Sequence, residues 1–67
     1  MSIVENIDRY CARTGITVKE FERMCGIANA TVHKWRVNLN GPSFRTISKI
    51  SKVTGISMDD WTKENGV

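Results

Sequence analysis

The chain has 67 residues, of which 40% are apolar and 25% charged, with a formal net charge of +3. A chain this short buries only about 60% of its unfolded surface and makes one small domain, which leaves no room for a large active-site cavity. Its apolar content is that of a globular protein rather than a disordered one, and no stretch approaches the ~20 apolar residues of a membrane span.

Ser2–Arg13 lacks the continuous apolar run of a signal peptide, so the expected location is cytoplasmic, with no membrane contact. The two cysteines, Cys11 and Cys25, are too few to staple a secreted mini-domain. Both fall on apolar helix faces and are expected to be buried free thiols. Together with His33 they match no zinc spacing, so neither metal nor cofactor is expected. The acids are Glu5, Asp8, Glu20, Glu22, Asp59, Asp60 and Glu64. None lies between Arg23 and Met58, a window that holds Arg23, Lys34, Arg36, Arg45, Lys49 and Lys52. A half-chain of one sign is an electrostatic footprint for phosphate.

In chain order, Ser2 with Glu5 makes a capping box that opens the first helix. Ile3, Ile7, Tyr10 and Cys11 recur at helical spacing on its buried face, and Gly15 closes it. Thr17 with Glu20 repeats the box and opens helix two, over about 17–25, whose apolar stripe is Phe21, Met24 and Cys25. Gly26 supplies the left-handed backbone of a tight turn, and Ile27 tucks inward. Helix three is expected over about 28–36, with Val32 and Trp35 as core anchors. Asn29, Ala30, His33 and Lys34 lie on the opposite arc at ~100° per residue. Residues 38–42 form a turn cluster. Ser43 caps helix four, which carries Phe44, Ile47, Ile50 and Val53 and ends near Gly55. Ser57 opens a short last helix with Met58 and Trp61, and residues 63–67 are expected to fray.

The segment Thr17–Pro42 carries a family resemblance. Gly26-Ile27-Ala28-Asn29-Ala30-Thr31-Val32-His33-Lys34-Trp35 is similar, without a gap, to the turn and recognition helix of the phage repressor/Cro family, also called the XRE family. The resemblance covers roughly residues 3–62. It implies an all-α fold, a compact lambda-repressor-like bundle of five short helices forming a single domain over residues 1–67. It also implies sequence-specific binding of double-stranded DNA by a prokaryotic or phage transcriptional regulator of repressor type, with helix three in the major groove. The expected core is Ile7, Phe21, Cys25, Ile27, Val32, Trp35, Ile47, Ile50 and Trp61.

The residue chemistry of helix three suits that role. Asn29 can pair bidentately with adenine, Ala30 can sit against a thymine methyl, and Lys34 can reach guanine or a phosphate. His33 can donate or accept through its ring nitrogens. The resemblance places base or backbone contacts on these four positions. It places phosphate contacts on Thr17, Val18 and Lys19 at the start of helix two and on Thr31. It places further ones on Arg36, Asn38, Asn40, Ser43 and Arg45 beyond helix three. Relatives often have Gln at the Val18 position, an acid at Arg36 and Gly at Asn38. Thr17 has capping of helix two as its alternative to a phosphate contact, and Arg36 has an acid of the fold as its other option. Glu22 stands where relatives usually have a small residue. Its carboxylate has two candidate donors, the N–H groups opening helix three and the Trp35 indole, and the sequence does not choose between them. Trp61 is a core lid or a dimer contact.

Other functions fit less well. An enzyme lacks parts: there is one histidine, no glycine-rich phosphate loop and no cysteine with an activating partner. A protein-interaction module of antitoxin or anti-repressor type keeps the same fold without DNA readout, but would be free to place acids or bulky apolar groups on helix three. Non-specific RNA binding is a third reading. No small-molecule ligand is expected. A single recognition helix touches few base pairs, so specificity calls for two-fold dimers on paired half-sites. The expected homodimer is weak, through helix five around Met58 and Trp61, or forms only on DNA.

Overall fold

Side-chain caps decide where most of the helices begin. The computed structural model describes residues 2–37 and 41–67, and its elements are α1 (Ser2–Thr14), α2 (Val18–Cys25), α3 (Thr31–Val37), α4 (Phe44–Thr54) and α5 (Met58–Thr62). No strand occurs among the described residues, so the expected all-α bundle of five short helices is the fold. At α2 the capping box closes both ways: the Thr17 hydroxyl accepts the Glu20 N–H at 3.1 Å, and the Glu20 carboxylate accepts the Thr17 N–H at 3.0 Å. Ser43 accepts the Thr46 N–H at 3.3 Å at α4, and Ser57 accepts the Asp60 N–H at 3.1 Å at α5. Each such cap contributes about 0.5–2 kcal/mol. The expected Ser2 cap concerns a side chain outside the described ones.

Gly26, at φ 72°, turns the chain out of α2 in the left-handed region that glycine enters without strain. Its successor Ile27 donates its N–H to the Glu22 carbonyl at 2.8 Å, closing the end of the helix.

Helix α1 packs on α2, α3 and α5, while α4 packs on α2 and α5. Their common interior holds Ile3, Val4, Ile7, Cys11, Phe21, Cys25, Val32, Trp35, Ile50 and Trp61. Tyr10, Phe21 and Trp61 meet at ring-centroid distances of 5.6–5.8 Å, each pair tilted or edge-on. Such pairs add about 0.5–1.5 kcal/mol beyond area burial. The Trp61 indole N–H donates to the Thr54 hydroxyl at 3.0 Å, which leaves no polar atom of that ring stranded. Trp61 is therefore a core residue, and its face is not available as a dimer contact.

Of the expected core, Ile27 and Ile47 are only half-buried. Phe44 is 77% exposed and Val53 47%. The reason is helical drift: a spacing of three slips by about 60° per step, so a row running from Phe44 to Val53 walks off the buried face at both ends. Met24, on the expected stripe of α2, is 43% exposed for the same kind of reason, one position off the line of Phe21 and Cys25.

Residues 63–67, expected to fray, lie against α1. The fully buried Asn6 amide donates to the backbone oxygens of Trp61 at 2.7 Å, Lys63 at 3.0 Å and Asp60 at 3.2 Å. Arg9 holds the Asn6 side-chain oxygen at 2.7 Å and the backbone oxygen of Val67 at 3.0 Å. Gly66 passes so close to α5 that a Cβ there would overlap the Asp60 carbonyl. Polar groups on α1 thus supply the partners that the end of α5 lacks within its own helix.

Trp35 is 8% exposed and anchors α3 beside the fully buried Val32. Trp35→Ala should lower stability by about 3–5 kcal/mol, read as a large fall in melting temperature. An unchanged melting temperature would contradict its place in the core.

Candidate nucleic-acid interface

Glu22 sets how α3 starts. Its carboxylate is 4% exposed and lies where α2 crosses the turn. One oxygen accepts the Ala30 N–H at 3.2 Å, and the other accepts the Val32 N–H at 2.9 Å. Of the two donors open in the sequence, the amides at the helix start are the ones taken. Ala30 sits at φ 66°, a conformation that costs an ordinary residue about 1–2 kcal/mol. Two hydrogen bonds to a charged acceptor, each about 1.5–3 kcal/mol, outweigh that strain.

The consequence is that α3 begins at Thr31, later than the expected start at Ala28. Asn29 and Ala30 belong to the turn that leads into it. Thr31 closes that turn, its hydroxyl donating to the Ala28 carbonyl at 2.6 Å and its N–H to the same oxygen at 3.2 Å.

Asn29, Ala30, His33 and Lys34 are all exposed, while Val32 and Trp35 point into the core. Among the described residues the Asn29 amide has no hydrogen-bond partner, and neither His33 nor Lys34 is engaged. The exposed arc carries no carboxylate, since the acid nearest in the fold, Glu22, is buried beneath the turn with both oxygens occupied.

The other expected contact residues divide by how they are used. Lys19 and Arg45 are exposed and free of ion pairs among the described residues. The Thr17 and Ser43 oxygens are capping acceptors, and the Ser43 hydroxyl also shares a hydrogen bond with the Thr46 hydroxyl at 3.2 Å. Val18 packs its side chain against the core, leaving its backbone for any external contact. Thr31 is half-buried, with its hydroxyl hydrogen committed to Ala28. Arg36 is exposed but held: its two terminal nitrogens donate to the Asp8 carboxylate at 2.8 and 2.9 Å. The sequence left this open, and the fold supplies the acid from α1. Asn38 and Asn40 lie outside the described residues.

Three residues, Arg23, Lys49 and Lys52, were not assigned contacts in the sequence. Arg23 shares a groove with Lys19, Glu22, Ile27 and Asn29, so two cationic residues of α2 line the same groove as Asn29. Lys49 and Lys52 join Arg45 along one face of α4, next to Phe44 and Ser48. The acid-free window was the available signal for the lysines. The first groove depends on how α2 meets the turn, which spacing does not reveal.

The thiols offer no nucleophile. Burial raises Cys11, with Asp8 and Glu20 adding to it, and burial pushes Cys25 up to about 11. Both therefore stay protonated at neutral pH, without the thiolate that reactivity needs. Among the described residues no cluster of His, Cys, Asp or Glu is placed to hold a metal ion, and no helix is long and apolar enough to cross a membrane.

Two helices joined by a Gly26 turn, the second presenting a polar arc outward and two apolar anchors inward, define a helix-turn-helix. The chain belongs to the family of the Cro/C1-type HTH DNA-binding domain, whose family model matches residues 6–61. It is thus a DNA-binding domain of the type found in transcription regulators. No curated protein and no solved structure matches it.

The Asp8–Arg36 pair has a pH signature. Hydrogen bonds from Arg36 hold the Asp8 carboxyl below its ordinary range. A lowered folded-state pKa stabilises above the unfolded value of about 3.9 and is lost as pH falls through the folded one. Both side chains are nearly half exposed, at 44% and 45%, so the contribution is that of a surface pair, about 0.2–1 kcal/mol. Asp8→Asn should cost this much at neutral pH and nothing once the pH is well below 4. Acid melts of the two proteins that never converge would contradict it.

Proposed function

We propose that the chain binds duplex DNA sequence-specifically as a repressor-like regulator of prokaryotic or phage transcription, acting in the cytoplasm with α3 in the major groove. The carrying observation is the arc of Asn29, Ala30, His33 and Lys34, exposed and free of acids, backed by two buried anchors in a chain of a DNA-binding family. A groove-reading helix needs unoccupied donors and acceptors outward and a fixed angle. The arc meets the first need, and Val32, Trp35 and the Glu22 bonds meet the second.

In this reading Asn29 and Lys34 contact bases, with Ala30 against a thymine methyl and His33 on a base edge or backbone. Lys19 and Arg45 contact phosphate as cations. Thr17, Thr31, Ser43 and the Val18 backbone are assigned to phosphate with them, as are Asn38 and Asn40, which lie outside the described residues. Arg36 contacts phosphate by exchanging its exposed, weak pair with Asp8 for a stronger anion.

Selection of bound duplexes from a random library supplies the preferred site and tests the reading. Asn29→Ala should cost roughly 1–3 kcal/mol on that site and little on random duplex. Arg45→Ala should weaken both alike and lower the salt slope by about one unit. Undiminished site preference in a tightly binding Asn29→Ala protein would remove α3 as the reading head.

We infer further that self-association is weak or induced by DNA, because the expected helix-five contact loses Trp61 to the core. Ultracentrifugation should show monomer at micromolar concentration and two chains on a duplex holding two half-sites. A dimer persisting at nanomolar concentration without DNA would contradict this.

A further inference from the structure

We propose that Glu22 is the positioning residue for base readout: it caps α3 from a neighbouring helix and so releases Asn29 to face a base. The inference rests on the reading of α3 given above.

Helices α2, α4 and α5 are each capped by a hydroxyl of their own, from Thr17, Ser43 and Ser57. Helix α3 is capped differently. The residues leading into it are Ala28, Asn29 and Ala30, and only Asn29 has a side chain that could accept a backbone N–H. Asparagine is among the best capping residues. An Asn29 that capped its own helix would turn its carbonyl inward on the backbone and lose the bidentate pairing that adenine requires. Instead the two Glu22 oxygens take the Ala30 and Val32 N–H groups, at 3.2 and 2.9 Å.

Two bonds from one rigid carboxylate also do what one cannot. They fix the rotation of α3 about its own axis relative to α2, and with it the direction in which Asn29, His33 and Lys34 leave the helix. The pair of bonds keeps Ala30 in its left-handed conformation at φ 66°, which sets the entry of the chain into α3.

A negative charge beneath a DNA-facing turn repels a polyanion. Removing it should favour DNA in general even as it harms recognition of one sequence, and this opposition of signs separates positioning from mere stability.

The test is Glu22→Gln, measured below its melting temperature on the selected duplex and on random duplex at one salt concentration. The glutamine amide keeps one acceptor and turns an NH2 group toward the other backbone donor. Affinity for the selected site should fall about tenfold or more, at 1.4 kcal/mol per tenfold, while affinity for random duplex stays equal or tightens. Glu22→Asp keeps the charge but is too short to span both amides. It should lose discrimination likewise, without any gain on random duplex. In the Glu22→Gln background, Asn29→Ala should cost little more, because its contact is already lost.

Folded Glu22 variants with wild-type discrimination, or with equal losses on both duplexes, would overturn the proposal. Should the variants not fold, the wild-type protein carries the test by hydrogen exchange. The Ala30 and Val32 amides should exchange as slowly as core helix amides, and exchange at the rate of an exposed turn would overturn it. A wild-type chain with no duplex preference at all would instead defeat the reading of α3 itself.

Discussion

The bond pair from Glu22 to the start of α3 is the constraint on which the reading surface depends. A helix of seven residues, as α3 is, is far too short to be stable alone. Its stability and its direction must both come from outside. Val32 and Trp35 supply burial from beneath. The Glu22 carboxylate supplies the backbone partners that the N-terminus cannot find within its own helix. A buried carboxylate is costly unless fully paired, and here both oxygens are used. The same residue that would be a liability in an ordinary core thus fixes the junction of α2 and α3.

The rest of the molecule holds that junction in place by linking its two ends. Helix α1 touches α2, α3 and α5, and it uses polar contacts as well as apolar ones. Asn6 and Arg9 bind the backbone at the end of α5 and beyond it, and Asp8 binds Arg36 at the end of α3. In a domain with so small a core, these cross-links make up for apolar area that is not available. The Asp8–Arg36 pair adds little stability, being exposed, and ties the end of α3 to α1.

Much of this was legible in the chain. Thr17 with Glu20, Ser43, Ser57, Gly26 and Gly55 announce helix ends through local chemistry, which depends on neighbours a few residues apart. The Val32–Trp35 spacing and the lack of acids from Arg23 to Met58 gave the orientation and charge of the candidate site. What was not legible depends on residues far apart in sequence. The start of α3 was placed too early because the acceptor that shapes it, Glu22, lies on the preceding helix. The contacts of the chain end were invisible because their partners, Asn6 and Arg9, lie on α1. Phe44 and Val53 share a spacing of three with Ile47 and Ile50, a row that drifts around a helix, and the fold leaves both at its surface.

The proposed working surface is one face of the molecule, the exposed arc of Asn29, Ala30, His33 and Lys34. Its most direct test is a nuclear magnetic resonance titration of isotope-labelled protein with the selected duplex, following backbone and side-chain signals together. The largest shifts, and the intermolecular contacts, should fall on the Asn29 amide and on His33 and Lys34, with the outer face of α5 unmoved. Contacts confined to α1 or α5, with the α3 arc unchanged, would contradict the account.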